Sequence, residues 1–243
     1  MNSRLQANEL CTSEVIPWLA PRPPDAAAQR GPIRINVGCG ATPTAQWVNF
    51  DNSFTVWLSR LPVVGRAALR AGPLSARRRF VDAALRHDVR WADAARRIPV
   101  ADASASVVYS SHMFEHLDRR GARRFLEEAW RVLTPSGVLR LVVPDLLGLV
   151  RAYQASADAD AFVASTYLAV TGGSFRERLA TLVLGHRHHA WMYDARSLVR
   201  LVSEHGFVDV GELEPGRTTI RDPGALDLTE RAGESIYIEA RKP

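Results

Sequence analysis

The sequence holds only two cysteines in 243 residues, Cys11 and Cys39. Two thiols build no disulfide framework, which excludes the disulfide-stapled secreted scaffolds and leads us to expect a reducing, cytoplasmic setting. No apolar run approaches the length of about 18 residues that a membrane-spanning helix needs. No apolar signal core opens the chain either, because Pro17, Pro21, Pro23 and Pro24 break up its first segment. A basic stripe interleaved with aromatics is also missing. The densest basic run is Arg77-Arg78-Arg79, and a nucleic-acid partner is not favoured. Internal repeats are absent. What is present is a hydrophobic content of 47%, enough for a packed core. The length suits one large domain with embellishments. The formal net charge of +5 fits an arginine-rich solvated surface or an anionic substrate.

The most informative stretch is Arg34-Ile35-Asn36-Val37-Gly38-Cys39-Gly40. A short apolar run ends in a tight Gly-x-Gly turn. Glycine has no Cβ, so the backbone can bend sharply there and approach a nucleotide-shaped ligand closely. Asp51 closes a second apolar stretch, Trp47-Val48-Asn49-Phe50. An acid at the tip of the second strand is the usual partner of ribose hydroxyls in nucleotide-binding α/β folds.

The remaining pattern alternates strands and helices. Strands are expected at 33–37, 47–51, 86–89, 107–110, 138–143, 207–213 and 235–240. Residues 118–133 form the clearest helix, with Ala122, Phe125, Leu126, Ala129, Trp130 and Leu133 at three-four spacing. Thr134-Pro135-Ser136-Gly137 stops it. Asp194 caps another helix, which carries Leu198, Val199, Leu201 and Val202 and ends at Gly206. The link 41–46 is too short for a full crossover helix. Residues 1–31 read as a proline-bearing leader or lid with a short helix at 9–19, ahead of one domain over 32–243. Helical insertions are expected at about 53–86 and 146–190, the second with a loop at Gly172-Gly173 and placed to cover a site. The expected fold is α/β, a doubly wound, mostly parallel Rossmann-like sheet with an antiparallel C-terminal strand. Such sheets bind ligands at the carboxyl ends of their strands, where this reading puts Gly38, Asp51, Asp88 and Ser111.

Seven ordered pieces, spanning about 33–241, carry a family resemblance. They are Asn36-Val37-Gly38-Cys39-Gly40; Trp47-Val48-Asn49-Phe50-Asp51; His87-Asp88-Val89; Tyr109-Ser110-Ser111-His112-Met113-Phe114-Glu115-His116-Leu117; Trp130-Arg131-Val132-Leu133-Thr134-Pro135-Ser136-Gly137-Val138-Leu139; His189-Ala190-Trp191-Met192-Tyr193-Asp194; and Glu234-Ser235-Ile236-Tyr237-Ile238-Glu239-Ala240. Together they resemble the class I S-adenosylmethionine-dependent methyltransferases, closest to a small bacterial branch. The resemblance implies that Gly38 and Gly40 pass the methionine part of S-adenosylmethionine. It implies that Asp51 takes both ribose hydroxyls, that Asp88 takes the adenine amine with Val89 against the ring, and that Ser111 borders the sulfonium. It also implies a reversed C-terminal hairpin, unlike nicotinamide enzymes. The turn lacks the third glycine of the fuller motif, and Thr134-Pro135-Ser136-Gly137 replaces the commoner Lys-Pro-Gly-Gly.

A hydroxyl acceptor needs its proton removed as it attacks, and histidine suits that task near neutral pH. His112 and His189 are the catalytic candidates, His112 in the loop nearest the methyl group and His189 in the substrate wall. His116 either opens the next helix and bonds locally or joins Glu115 in holding a divalent ion such as magnesium, as some related methyltransferases do at a comparable pair. His112-x-x-Glu115-His116 also matches an inverted zinc-protease motif, against its nucleotide-fold surroundings. His186, His188 and His189 form a metal site, a solvated loop or a substrate wall. Trp191 and Tyr193 can stack on a sugar, with core packing the expected role of Trp191. The expected acceptor is a small molecule, a sugar or short glycan, with a natural-product scaffold (O- or N-methylation) as the alternative. A homodimer is compatible with this reading. A nicotinamide oxidoreductase, against which an obvious Tyr-Lys pair is missing, and a non-catalytic cofactor-fold module are the rival classes.

Overall fold

Strands in the middle of a parallel sheet are covered on both faces, and the central strands of this molecule are largely buried along their length. The computed structural model describes residues 31–53, 56, 82, 83, 86–168 and 188–243. Nearly all of the leader, most of the 53–86 insertion, Arg77-Arg78-Arg79, Gly172-Gly173 and His186 lie outside the described residues. The strands are β1 (Ile33–Val37), β2 (Val48–Asp51), β3 (Arg90–Trp91), β4 (Ala105–Ser111), β5 (Leu133–Pro144), β6 (Val208–Leu213) and β7 (Ser235–Arg241). They form one seven-stranded sheet in the order β3-β2-β1-β4-β5-β7-β6. β7 runs antiparallel to both of its neighbours, and the pairs from β3 to β5 are parallel. The fold is therefore the expected doubly wound, mostly parallel Rossmann-like sheet, with β7 as the antiparallel strand.

The short link between β1 and β2 carries no helix, yet the two strands are adjacent and parallel, with Ile35 level with Val48 and Val37 level with Phe50. Two buried asparagines make that possible. Asn36 Nδ2 donates to Thr44 Oγ1 at 3.0 Å, and the Asn49 side chain accepts from Thr44 N and donates to the Thr44 and Trp47 carbonyls. The polar backbone of a tight crossover is thus satisfied by side chains in place of helical hydrogen bonds.

Helix α1 (Arg119–Val132) is capped by Asp118, whose carboxylate accepts from Gly121 N. Ala122, Phe125, Leu126, Ala129 and Val132 are buried on one face. At its other end the Lys242 ammonium donates to the Trp130 and Leu133 carbonyls, a cation where the helix dipole favours one. Leu133 itself begins β5, and Thr134-Pro135-Ser136-Gly137 sits within that strand as an irregularity: Ala105 pairs with Leu133, and Val107 pairs with Val138. Helices α2 (Leu146–Ser156) and α3 (Ala159–Thr166) form the described part of the second insertion, and α4 (Ala195–Glu204) starts in a capping box of Asp194 and Ser197. Among the described residues, no helix is long and apolar enough to cross a membrane.

A buried ion pair locks the antiparallel edge. Arg140 on β5 meets Glu239 on β7 at 2.7 Å, and the Glu239 carboxylate also accepts from the Thr218 hydroxyl and from the Thr219 hydroxyl and amide. Burial raises the Glu239 pKa, but these hydrogen bonds outweigh it and hold the group below the ordinary carboxylate range.

Candidate active site

The carboxyl ends of β1 to β5 converge on one edge of the sheet. At the end of β1 the amides of Gly38 and Cys39 both donate to the Phe50 carbonyl, folding the turn back on β2. Gly38 has φ +70°, and a Cβ there would meet Met113 Cγ at 2.3 Å. Gly40 has φ +51°, with open space where its Cβ would stand. Asp51, at the end of β2, is 9% exposed and accepts from Gly40 N at 3.0 Å and Ser53 N at 2.8 Å. An ionised carboxylate offers about four acceptor positions, so two remain for a ligand. An open glycine turn beside an acid with spare acceptors fits the amino-acid and ribose parts of S-adenosylmethionine. Cys39 lies beneath the turn with Val56 and Val89. Burial, reinforced by Asp51, pushes its thiol pKa far up, so this cysteine is inert as a nucleophile.

The third strand differs from the sequence expectation. It comprises Arg90–Trp91, not 86–89, and this leaves Asp88 at its amino end. Asp88 is exposed there and pairs with Arg90 at 3.1 Å. The carboxyl end of β3 carries Ala92 and Asp93, with Ala92 N donating to the Asp51 carbonyl. Asp93 therefore stands beside the Asp51 tip, in the place foreseen for Asp88. A two-residue strand has no periodicity from which its end can be read.

Beyond β4 the chain gathers a second cluster. Ser111 ends the strand, His112 follows with φ +48°, and Phe114–His116 make one 3-10 turn. Glu115 is 1% exposed, and neither of its carboxylate oxygens accepts a hydrogen bond. Its Oε1 faces His112 Nδ1 at 3.4 Å and His189 Nε2 at 3.8 Å. His189 arrives from far along the chain because Ala190 N and Trp191 N both donate to the Glu115 carbonyl. His116 bonds through Nδ1 to the His188 carbonyl at 2.9 Å, a long-range contact in place of the local one expected. Ligand atoms of Glu115, His116 and His189 lie within 4.8 Å of one another. Burial holds the His189 pKa below its ordinary value, opposed by Glu115. His112 Nε2 lies 2.9 Å from Ser235 Oγ, and its Nδ1 lies 3.2 Å from an Arg231 guanidinium nitrogen. The sequence singled out all four of these Glu and His residues, and it gave no sign of Ser235 or Arg231.

The two aromatics exchange their expected places. Tyr193 is fully buried against Phe114, whereas Trp191 is 44% exposed beneath the Arg119 guanidinium.

Comparison with known proteins agrees with this geometry. Residues 35–141 match the family model described as a methyltransferase domain. The match covers less than half of the chain and supports a methyltransferase domain over those residues. No curated protein matches the sequence. Among solved structures, the chain is similar to a methyltransferase from Methanosarcina mazei (15% identity, 88% of this chain, 93% of that one, TM-score 0.48). It is also similar to a methyltransferase from Archaeoglobus fulgidus (12%, 88% and 87%, 0.47). A third is human N-acetylserotonin methyltransferase in complex with S-adenosylmethionine (14%, 87% and 47%, 0.44), of which this chain spans about half the length.

Proposed function

We propose that this enzyme methylates a hydroxyl group of a small molecule, a sugar or short glycan, with His112 as the base. The observation that carries the reading is the His112–Glu115 pair at the end of β4, one residue beyond Ser111 and adjacent to Met113, which packs on the Gly38 turn. Proton-accepting groups beside a methyl-donor site suit an acceptor that must lose a proton as it attacks.

S-adenosylmethionine supplies an electrophilic methyl group to this site. The chain's own groups do the rest. Gly38 and Gly40 would let the backbone pass the methionine portion, Asp51 would accept from the two ribose hydroxyls, and Ser111 would border the sulfonium. Asp93 would take the adenine amine, with Val89 contributing an apolar wall. Neutral His112 accepts at Nδ1 from the Arg231 guanidinium and donates from Nε2–H to Ser235 Oγ; Nδ1 is therefore the basic nitrogen, and its bond to Arg231 is the one a substrate hydroxyl takes over. The proton moves to Nδ1 as the acceptor oxygen attacks, and Glu115, 3.4 Å from that nitrogen, stabilises the imidazolium formed. Alignment of oxygen and methyl group supplies much of the rate. The buried free thiol of Cys39 suits a reducing, cytoplasmic compartment.

Two substitutions test this. Asp51→Ala removes the charged partner of two hydroxyls, worth about 1.5–3 kcal/mol each. S-adenosylhomocysteine affinity, read by calorimetry, falls on the order of 10²- to 10⁴-fold; unchanged affinity sinks the pocket. His112→Ala lowers kcat by about 10²- to 10⁴-fold and spares S-adenosylhomocysteine binding. Normal turnover, read by methyl transfer to a panel of sugars and natural products, clears His112 as the base.

A further inference from the structure

We infer that Glu115, His116 and His189 form a binding site for one divalent first-row transition ion of the zinc, cobalt or iron class. The three side chains converge from two distant segments, and their ligand atoms already lie within 4.8 Å of one another. Among the described residues, no other group of His, Cys, Asp and Glu comes together in this way. Two ligand atoms on one tetrahedral zinc, each about 2.1 Å from the ion, stand about 3.4 Å apart. His189 Nε2 and Glu115 Oε1 stand 3.8 Å apart, so a small closing movement brings this pair to bonding geometry.

Three further observations point to an ion. First, Glu115 is buried to 1% exposure, with neither oxygen accepting a hydrogen bond. A buried carboxylate left so is costly, and a cation removes the cost. Second, each imidazole keeps one nitrogen free for a ligand. His116 Nδ1 is bonded to the His188 carbonyl, which fixes the proton on Nδ1 and leaves the lone pair on Nε2. His189 Nδ1 lies against Met192 Sδ at 3.2 Å, which leaves Nε2 facing Glu115. Metal-bound histidines are oriented by this kind of contact on the far nitrogen. Third, the backbone holds the set together through the two amides that donate to the Glu115 carbonyl.

The donor set decides the metal. Two imidazole nitrogens and one carboxylate suit zinc, cobalt or iron, whereas magnesium takes oxygen ligands and keeps its waters. This replaces the magnesium expected from sequence. Three protein ligands leave the fourth position open, the arrangement of catalytic zinc sites. With about four acceptor positions on the carboxylate, Glu115 serves the ion and His112 together. If the open position takes the acceptor hydroxyl, it lowers that hydroxyl's pKa next to His112; this last point rests on the methyl-transfer reading, and the metal site itself does not.

The test is metal binding by the full-length protein. Elemental mass spectrometry after chelator-free purification finds about one zinc-class ion per chain. Stripped protein takes up one equivalent of cobalt(II) with the intense visible bands of a low-coordinate site, azide shifts those bands by entering the open position, and excess magnesium does not displace the ion. Glu115→Gln, His116→Ala and His189→Ala each weaken cobalt(II) binding at least about a hundredfold, at or beyond the 10–100-fold that loss of a supporting outer partner costs. His205→Ala, which removes a ring bonded to the Leu201 carbonyl in α4, binds as wild type. Stripped wild-type protein that is folded, binds S-adenosylhomocysteine and takes up no cobalt(II) overturns the site, as does Glu115→Gln with wild-type affinity. Cobalt(II) uptake without S-adenosylhomocysteine binding supports the site and sinks the methyl-transfer reading instead.

Discussion

Alanine at each glycine of the β1 turn separates two physical demands that the sequence leaves indistinguishable. At Gly38 (φ +70°) the added Cβ would stand 2.3 Å from Met113 Cγ and 2.5 Å from Met113 Cβ. Carbon atoms pack best at about 3.5–4.0 Å, so something must move by roughly 1 Å. Met113 packs against the main hydrophobic core and has little room to retreat. The left-handed backbone costs a non-glycine residue about 1–2 kcal/mol, and overpacking adds about 1–3 kcal/mol. Gly38→Ala thus loses about 2–5 kcal/mol of the 5–15 kcal/mol typical of a domain. At Gly40 (φ +51°) the added Cβ meets nothing within 4 Å, and only the backbone cost of about 1–2 kcal/mol applies. In the proposed reading the cofactor passes through that open space. Gly40→Ala therefore loses only about 1–2 kcal/mol of stability yet binds S-adenosylhomocysteine at least about tenfold more weakly, a loss of about 1.4 kcal/mol or more. Urea unfolding and calorimetric titration of both variants give the four numbers. Equal stability losses at the two positions refute the packing argument, and wild-type affinity in Gly40→Ala refutes the placement of the cofactor.

Other substitutions report on the supporting structure. Arg140→Met strips a buried carboxylate of its cation and costs about 3–5 kcal/mol in chemical denaturation; a loss under 1 kcal/mol means that the Thr218 and Thr219 donors suffice. Because the folded pKa of Glu239 is depressed, its stabilisation is fully present above the ordinary carboxylate pKa. It is lost as pH falls through the folded value. Glu239→Gln accordingly flattens the acid limb of a stability-versus-pH curve, and an unchanged limb contradicts the assignment. With its pKa driven up by burial and then by Asp51, Cys39 resists iodoacetamide in the native protein and reacts in denaturant, as peptide mass spectrometry will show; rapid native alkylation contradicts the buried-thiol geometry.

What the sequence revealed depends on how far each signal reaches along the chain. α1 was legible because its stripe of Ala122, Phe125, Leu126 and Ala129 is local and its cap, Asp118, is adjacent. The glycine turn and Asp51 were legible because tight turns at strand ends have their own chemistry. β3 failed this test: two residues carry no periodicity, and the acid at its carboxyl end passed from Asp88 to Asp93. Trp191 and Tyr193 failed it as well, because an extended segment decides inside from outside by register, and residue type says little about register. The His–Glu cluster is the instructive case. Each member is visible as a residue, but the contact between Glu115 and His189 is made by backbone amides of Ala190 and Trp191 donating to the Glu115 carbonyl, a long-range pairing that leaves no mark in composition or spacing. Such pairing is also what turns a lone buried carboxylate, a liability in a core, into a group with two imidazoles at hand. Chemistry at this site therefore belongs to the topology that brings the 188–193 segment beside the end of β4, and altering that backbone contact disturbs the cluster with every one of its side chains still in place.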